Sequence, residues 1–252
     1  MNFSKKILII LALISFQGLA CADSGFFVGG ALTYTQPVDA KFGVFSEEII
    51  AAASGFQNVT LLSSSANRIG GAIMGGYHYK PESWGVYFLE GELIARRSGN
   101  ELKNSTVKLE LNDNITVVNY SLSIKQKDTF GTLLRLGKYF TDCIGAYLSA
   151  GVLNSKFQTT TTGIVETSPP QYSTASAKVN RVWGGRLGFG AIQDLGDSKA
   201  FSLRIDYGYE MYKKYSTGLL EQYNETDNAK VFSSMSPSLS YHVVTLSCVY
   251  KI

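Results

Sequence analysis

The sequence has few cysteines, prolines and charged residues, and no long apolar run beyond its first twenty residues. Of 252 residues, three are Cys, five are Pro and two are His, and only 17% are charged. A bundle of transmembrane helices is excluded, because each span needs about 18 or more apolar residues in a row. A disordered chain is also excluded, since 45% of the residues are hydrophobic and 12% are aromatic. The apolar residues must therefore be spread along the chain.

Residues 1–22 have the three parts of a secretory signal peptide. Lys5-Lys6 is the positive region, Ile7–Phe16 is a short apolar core, and Ala20-Cys21-Ala22 is a small-residue cleavage site. We therefore expect this segment to be cleaved and the mature domain to comprise residues 23–252.

A lipoprotein signal and a nucleic-acid-binding function both have less support. A lipoprotein would carry its lipid on Cys21, but Gly18 stands where such signals normally have Leu. Nucleic-acid binding gains no support from net charge. Removal of Lys5 and Lys6 with the signal peptide lowers the number of Lys and Arg residues from 23 to 21, against 20 Asp and Glu residues. The mature domain is therefore almost neutral.

Eight segments alternate apolar and polar residues with a period of two, which is typical of strands. The clearest is Ala200–Tyr212, where Phe201, Leu203 and Ile205 oppose Ser202, Arg204 and Asp206. The eight predicted strands are Ser24–Tyr34, Asn67–Lys80, Trp84–Arg96, Phe130–Phe140, Ile144–Val152, Val179–Ile192, Ala200–Tyr212 and His242–Ile252.

Short and long connections alternate between these strands. The short ones are Pro81-Glu82-Ser83, Thr141-Asp142 and Asp194–Lys199, and the long, polar ones are 35–66, 97–128, 158–178 and 213–238. This layout predicts an all-β fold: an eight-stranded antiparallel transmembrane β-barrel with short periplasmic turns and four long extracellular loops. Parity alone also allows a secreted soluble β-sandwich, but aromatic strand ends and glycines within strands favour the barrel.

Three features are predicted within the long connections. Ser46–Ala53 could form one or two helical turns, and Thr106–Leu111 with Ile115–Ile124 suggests a hairpin. Thr159–Thr162 and Pro169-Pro170 are typical of exposed coil.

Both ends of the mature chain carry a family resemblance. The opening Asp23–Gly30 is similar to the aromatic-Val-Gly-Gly start of many small outer-membrane barrels. The closing residues resemble the C-terminal signal that such proteins present to the barrel-assembly machinery, with Ile in place of the usual Phe: Val244, Leu246, Cys248, Tyr250 and Ile252. The chain thus resembles the OmpA transmembrane-domain and opacity-protein type of barrel.

The resemblance implies a location and a set of partners. We expect a monomer in the bacterial cell outer membrane, in contact with its lipid, and with the assembly machinery during biogenesis. Its role would be a structural or host-interaction scaffold, of adhesin or antigen type, whose loops contact a host or extracellular ligand. The alternatives are a small porin or hydrophobic-solute channel, and a lipid-modifying barrel enzyme.

Seven charged residues share the polar parity and are predicted to form ion pairs inside the barrel: Glu90, Glu92, Arg135, Arg186, Arg204, Asp206 and Glu210. An eight-stranded barrel is only wide enough for its own side chains, so buried charges there must pair. We interpret the set as an ion-paired plug; the alternative is a gate for small solutes.

No catalytic, cofactor or metal site is predicted. His78 is expected to face inward and His242 outward, and neither has a serine partner at the spacing of the lipid A deacylase barrels, which carry Ser two residues after the His. Cys143 and Cys248 fall on opposite faces of non-neighbouring strands, which predicts two free thiols.

Overall fold

The computed structural model is built almost entirely of β-strands. It describes residues 24–48, 53–61, 68–99, 101–103, 107–110, 117–166, 172–196, 199–216, 219–224 and 229–252. No helix among these residues is long and apolar enough to cross a membrane. Residues 1–22, with the predicted signal peptide and Cys21, lie outside this set.

Twelve strands follow one another in the described part of the chain. They are β1 Gly25–Glu48, β2 Ala53–Leu61, β3 Arg68–Tyr79, β4 Tyr87–Arg97, β5 Glu101–Lys103, β6 Val107–Glu110, β7 Val117–Tyr139, β8 Ile144–Glu166, β9 Tyr172–Leu195, β10 Phe201–Tyr212, β11 Leu219–Asn224 and β12 Ala229–Lys251. A 3-10 turn at Glu82–Trp84 precedes β4.

Eight of these strands close into an antiparallel barrel, which confirms the predicted fold. The order around the wall is β1, β3, β4, β7, β8, β9, β10 and β12, and β12 pairs with β1 to complete the ring. Closure removes the unpaired edges that an open sheet would expose. The remaining strands β2, β5, β6 and β11 pair onto barrel strands at the end with the long connections.

The register shows how steeply the strands tilt. A row of paired residues that starts at Tyr87 on β4 passes once around the barrel and returns to β4 at Arg97, ten residues further along. This stagger is the shear of the barrel, and it tilts the strands relative to the barrel axis. Each row of neighbouring residues consequently spirals from one end of the barrel toward the other.

Five barrel strands are far longer than a membrane requires. Strands β1, β7, β8, β9 and β12 have 23 or 24 residues, whereas about 9–11 tilted residues span a bilayer. Much of the sequence in the long connections is therefore strand that continues the barrel wall.

The three local predictions for the long connections had mixed outcomes. The hairpin exists, because β6 pairs with Val117–Tyr120 of β7. The coil predicted at Thr159–Thr162 is wrong, since these residues lie within β8 and pair with β9. The helical turns predicted for Ser46–Ala53 are also wrong where described: Ser46–Glu48 ends β1 and Ala53 begins β2. Residues 49–52 and Pro169-Pro170 lie outside the described residues.

Exposure alternates along the barrel strands as the sequence predicted. In β10, Phe201, Leu203 and Ile205 are exposed, while Ser202 and Arg204 between them are buried. The outer surface is consequently an apolar belt that includes Leu32, Ile69, Ile73, Leu93, Leu134, Leu148, Leu187 and Leu246.

Glycine on the inner face makes room for large side chains. A Cβ added at Gly137 would overlap Phe88 Cζ, so the Phe88 ring occupies the space above this glycine. Phe88 is fully buried and packs with Tyr139, Tyr147 and Ile192. Glycine at position 137 is therefore a packing requirement of the aromatic cluster.

We predict that Gly137→Ala destabilises the barrel, because the Phe88 ring would have to move within a packed interior. The expected loss is about 1–3 kcal/mol, measured as a lower urea midpoint for unfolding in detergent or liposomes. Gly71→Ala is the matched control, since a Cβ there meets no described atom within 4 Å. Equal midpoints for the two variants would contradict this account of packing.

Candidate functional site: the barrel interior

A central cluster of charges lies inside the barrel around the carboxylate of Glu90. Arg204 donates two hydrogen bonds to Glu90, from Nη1 to Oε1 at 2.7 Å and from Nη2 to Oε2 at 2.8 Å. Arg135 Nη1 donates to Glu90 Oε1 at 2.9 Å, and Arg135 Nη2 donates to Glu92 Oε1 at 3.1 Å. His78 Nδ1 lies 3.2 Å from Glu90 Oε2. The strands β3, β4, β7 and β10 are thus joined across the interior.

Asp206 belongs to this cluster but makes a looser contact. Its Oδ1 lies 3.7 Å from Arg135 Nε. Neither carboxylate oxygen of Asp206 accepts a hydrogen bond from a guanidinium group among the described residues, although the side chain is buried. Asp206 is therefore the acidic residue of the cluster whose hydrogen-bonding capacity is not used by the guanidinium groups.

A second cluster surrounds Glu210, nearer the end with the long strands. Arg96 donates Nη1 to Glu210 Oε1 at 2.8 Å and Nη2 to Oε2 at 2.7 Å. Arg186 Nη1 lies 3.5 Å from Glu210 Oε1, and the Tyr212 hydroxyl donates to Oε2 at 2.8 Å. Gln126 Nε2 donates to the Tyr212 hydroxyl at 3.2 Å, which extends the network into the upper wall.

The two clusters balance one another in charge. The central cluster has three carboxylates and two guanidinium groups, and the second has two guanidinium groups and one carboxylate; all eight residues are buried. Burying an unpaired charge costs several kcal/mol, whereas a paired and hydrogen-bonded charge offsets much of that cost. The two clusters together contain four carboxylates and four guanidinium groups, so their charges balance.

Apolar layers lie on both sides of the charged clusters. Toward the short turns, the layers contain Phe27, Met74, Phe88, Tyr139, Tyr147, Ile192 and Val249. Toward the long strands, the layer includes Ile94, Leu102, Ile124, Leu133, Leu153, Phe157, Val182, Leu239, Tyr241 and Val243. Two guanidinium groups also stack on the lower rings, Arg204 over Phe27 and Arg135 over Tyr147.

A smaller polar group holds the end of the barrel near the short turns. Asp194 accepts hydrogen bonds from the Tyr139 hydroxyl at 3.0 Å, from the Ser202 hydroxyl, and from Lys251 Nζ at 3.1 Å. These contacts link β7, β9, β10 and β12 where the chain ends. The backbone N–H of Ile252 also donates to Phe26 O at 2.8 Å.

The structure places all seven predicted interior residues inside the barrel, six of them in direct ion pairs at 3.6 Å or less. His78 is buried, as expected from its parity, and His242 lies on the outer face against the Tyr207 hydroxyl. Cys143 and Cys248 are both free. Val244, Leu246, Cys248 and Tyr250 are exposed on the outer face of β12, and Ile252 follows its last residue. Their role as an assembly signal stays a prediction.

Sequence reasoning missed four participants in the interior networks. Arg96 and Tyr212 end the predicted strands Trp84–Arg96 and Ala200–Tyr212 on the polar parity, but neither is among the seven predicted interior residues. Asp194 was assigned to a turn, although its even parity matches inward Arg186 and could have signalled it. Gln126 was hidden by a β-bulge between Gln126 and Thr129, which places both side chains inside.

Within the part of the chain that the structure describes, no three His, Cys, Asp or Glu side chains form a group that could hold a metal ion. The interior chemistry consists of ion pairs and hydrogen bonds. Such an arrangement can stabilise the closed barrel. The carboxylates of Glu90 and Glu210 both accept hydrogen bonds from guanidinium groups.

Comparison with known proteins gives structural neighbours only. No family model and no curated protein sequence matches the chain. Ail, the attachment invasion locus protein of Yersinia pestis, is 11% identical with a TM-score of 0.31, over 86% of this chain and 98% of that one. The outer membrane protein AlkL is 12% identical with a TM-score of 0.39, over 93% and 94%. The outer membrane protease OmpT from Escherichia coli is 9% identical with a TM-score of 0.38, over 94% and 100%.

These identities and TM-scores are too low to carry an argument about this chain. Its functional interpretation therefore rests on its own residues.

We predict that Arg204→Ala destabilises the barrel more than any substitution in the long connections, because it leaves Glu90 buried with one guanidinium partner fewer. The expected cost is about 3–5 kcal/mol. The readout is the heat-induced mobility shift on cold gels, followed across a urea series.

The matched control is Arg181→Ala, which removes an exposed guanidinium from the outer face of β9. If the two variants unfold at the same urea concentration, the ion-paired interior does not carry the stability assigned to it.

Proposed function

We propose that this chain is a bacterial outer-membrane protein whose closed, ion-paired barrel is a rigid scaffold for strands and loops displayed at the cell surface. The proposal rests on the filled interior, in which two charge clusters of opposite net charge lie between buried apolar layers. A barrel of this width has room only for its own side chains. Its role is therefore display rather than transport.

The outer surface supports location in a lipid bilayer. The exposed belt of β4 runs from Tyr87 to Leu93 and is followed by the exposed charge of Arg97. On β9, the exposed Trp183 is followed toward the long-strand end by the exposed Arg181. An apolar belt that is followed by exposed charges and has aromatic residues near its margins matches the pattern of a transmembrane barrel.

The extended strands support a role in recognition. Strands β1, β7, β8, β9 and β12 continue past the apolar belt, and β2, β5, β6 and β11 add to them at the same end. Binding segments on a rigid scaffold are a common arrangement in recognition proteins. The partner we propose is a host or extracellular ligand, with outer-membrane lipid and the assembly machinery as the partners of the barrel itself.

Reconstitution of the mature chain in planar bilayers tests the scaffold proposal. We expect no discrete conductance steps from the purified monomer, because the interior is filled. Discrete steps would instead support a small channel, and a mature chain soluble without detergent would support the soluble β-sandwich.

Protease treatment of intact cells should cleave the long-strand end and leave a protected barrel fragment.

The recognition role requires a separate binding test. Labelled protein in detergent or nanodiscs is applied to host-cell matrix components, with deletions in the long connections as the variants. Gly71→Ala changes only the lipid-facing surface of the barrel, so it is the control variant that should bind as the wild-type chain does. Binding that survives deletion of each of the four long connections would contradict a role for them.

A further inference from the structure

A furrow crosses the outer face of the barrel within the apolar belt. It lies between two adjacent rows of residues, each paired in register from strand to strand. The first row is Leu203, Cys248, Gly30, Ile73, Ala95 and Phe130. The second row is Leu246, Leu32, Gly71, Arg97 and Asp128. The furrow that these rows line has a volume of about 950 Å³.

Glycines form the floor of this furrow, and larger apolar residues form its walls. Gly30 on β1 and Gly71 on β3 are diagonal neighbours, with Leu32 and Ile73 on either side of them. A Cβ added at Gly71 would meet no described atom within 4 Å, and one at Gly30 would meet only Ala72 O at 3.9 Å. Leu32 and Ile73 are 62% and 63% exposed. The space over the two glycines is therefore open and faces the lipid.

The length and slope of the furrow match one leaflet of a bilayer. Between Leu203 on β10 and Phe130 on β7 it crosses five strand spacings, which at about 4.8 Å each give a length of about 24 Å. The shear makes the row rise toward the long-strand end as it passes from β10 to β4. At a tilt of about 40° the furrow rises about 15 Å, or half of the roughly 30 Å hydrocarbon core.

Charged residues lie at the upper end of the furrow, where the apolar belt ends. Arg97 is exposed there, and Asp128, its register partner on β7, is half-buried. Lys127 lies beside them, because its carbonyl accepts a hydrogen bond from the Ser98 N–H at 2.8 Å. These two cations and one carboxylate give the upper end of the furrow a net positive charge.

We propose that this furrow binds one acyl chain of an outer-leaflet lipid and that Arg97 pairs with the anionic phosphate of its headgroup. The proposal rests on the proposed outer-membrane location and assigns one defined site on the lipid-facing surface. An acyl chain is thin enough to lie between the side chains of Leu32 and Ile73, where it covers the open glycine floor. A guanidinium group suits a phosphate, because it can donate two parallel hydrogen bonds to it.

Native mass spectrometry tests the acyl-chain site. The mature chain is released from vesicles that contain equal amounts of phosphatidylglycerol and phosphatidylcholine, and we expect one phosphatidylglycerol to stay bound. Gly71→Leu fills the furrow and should abolish this adduct. Gly91→Leu is the matched control, because Gly91 is also exposed with open space over it but does not line the furrow.

A second pair of variants tests the headgroup contact. Arg97→Gln should lower the preference for phosphatidylglycerol over phosphatidylcholine about fivefold, as expected for one basic residue at an anionic membrane surface. Arg181→Gln is the control, because Arg181 is exposed at the same margin of the belt on β9, away from the furrow. The heat-induced mobility shift on cold gels confirms that each variant is folded.

Three results would overturn the proposal: retention by Gly71→Leu equal to that of the wild-type chain, an unchanged lipid preference in Arg97→Gln, or a lipid-free dimer as the main wild-type species. A wild-type barrel that reconstitutes and is heat-modifiable but retains no lipid would contradict the furrow site and leave the scaffold proposal standing. A mature chain soluble without detergent would contradict both.

Discussion

The structure depends on the pairing of charges in an interior too narrow for bulk solvent. Glu90 on β4 accepts hydrogen bonds from two guanidinium groups, one from the neighbouring strand β7 and one from β10 across the barrel. A second carboxylate, Glu210, accepts two hydrogen bonds from Arg96, one at each oxygen. Because removal of one partner leaves a buried charge uncompensated, these contacts fix which strands face one another and hold the ring closed.

Packing on the inner face follows from the same lack of space. Large rings and guanidinium groups lie over glycines on neighbouring strands, as Phe88 lies over Gly137 and Arg186 over Gly208. The apolar layers above and below the charges lower the local dielectric constant and so strengthen the ion pairs. The ion pairs and the packing of the barrel interior thus have a common origin in the small space that eight strands enclose.

Asp206, Thr245 and Thr33 are paired in register on β10, β12 and β1, and they take no part in the guanidinium hydrogen bonds. The guanidinium groups donate hydrogen bonds to Glu90, Glu92 and Glu210, whereas Asp206 has only a longer contact of 3.7 Å with Arg135. Asp206, Thr245 and Thr33 are neighbours only because the strands are staggered around the ring. A barrel with the same inward residues but another shear would place them in different rows.

The sequence by itself determined the strands, their faces and the inward charges, because a period of two separates lipid-facing from interior residues wherever the strand is regular. Tertiary structure alone decided which charges pair, since Arg96 reaches Glu210 across the barrel from a position 114 residues away. It also decided where regularity fails: the bulge at Gln126–Thr129 brings in a side chain that strict alternation hides. Tertiary structure also decided how far the strands extend beyond the apolar belt of the outer surface. The polar segments there form strands because they pair with neighbouring strands.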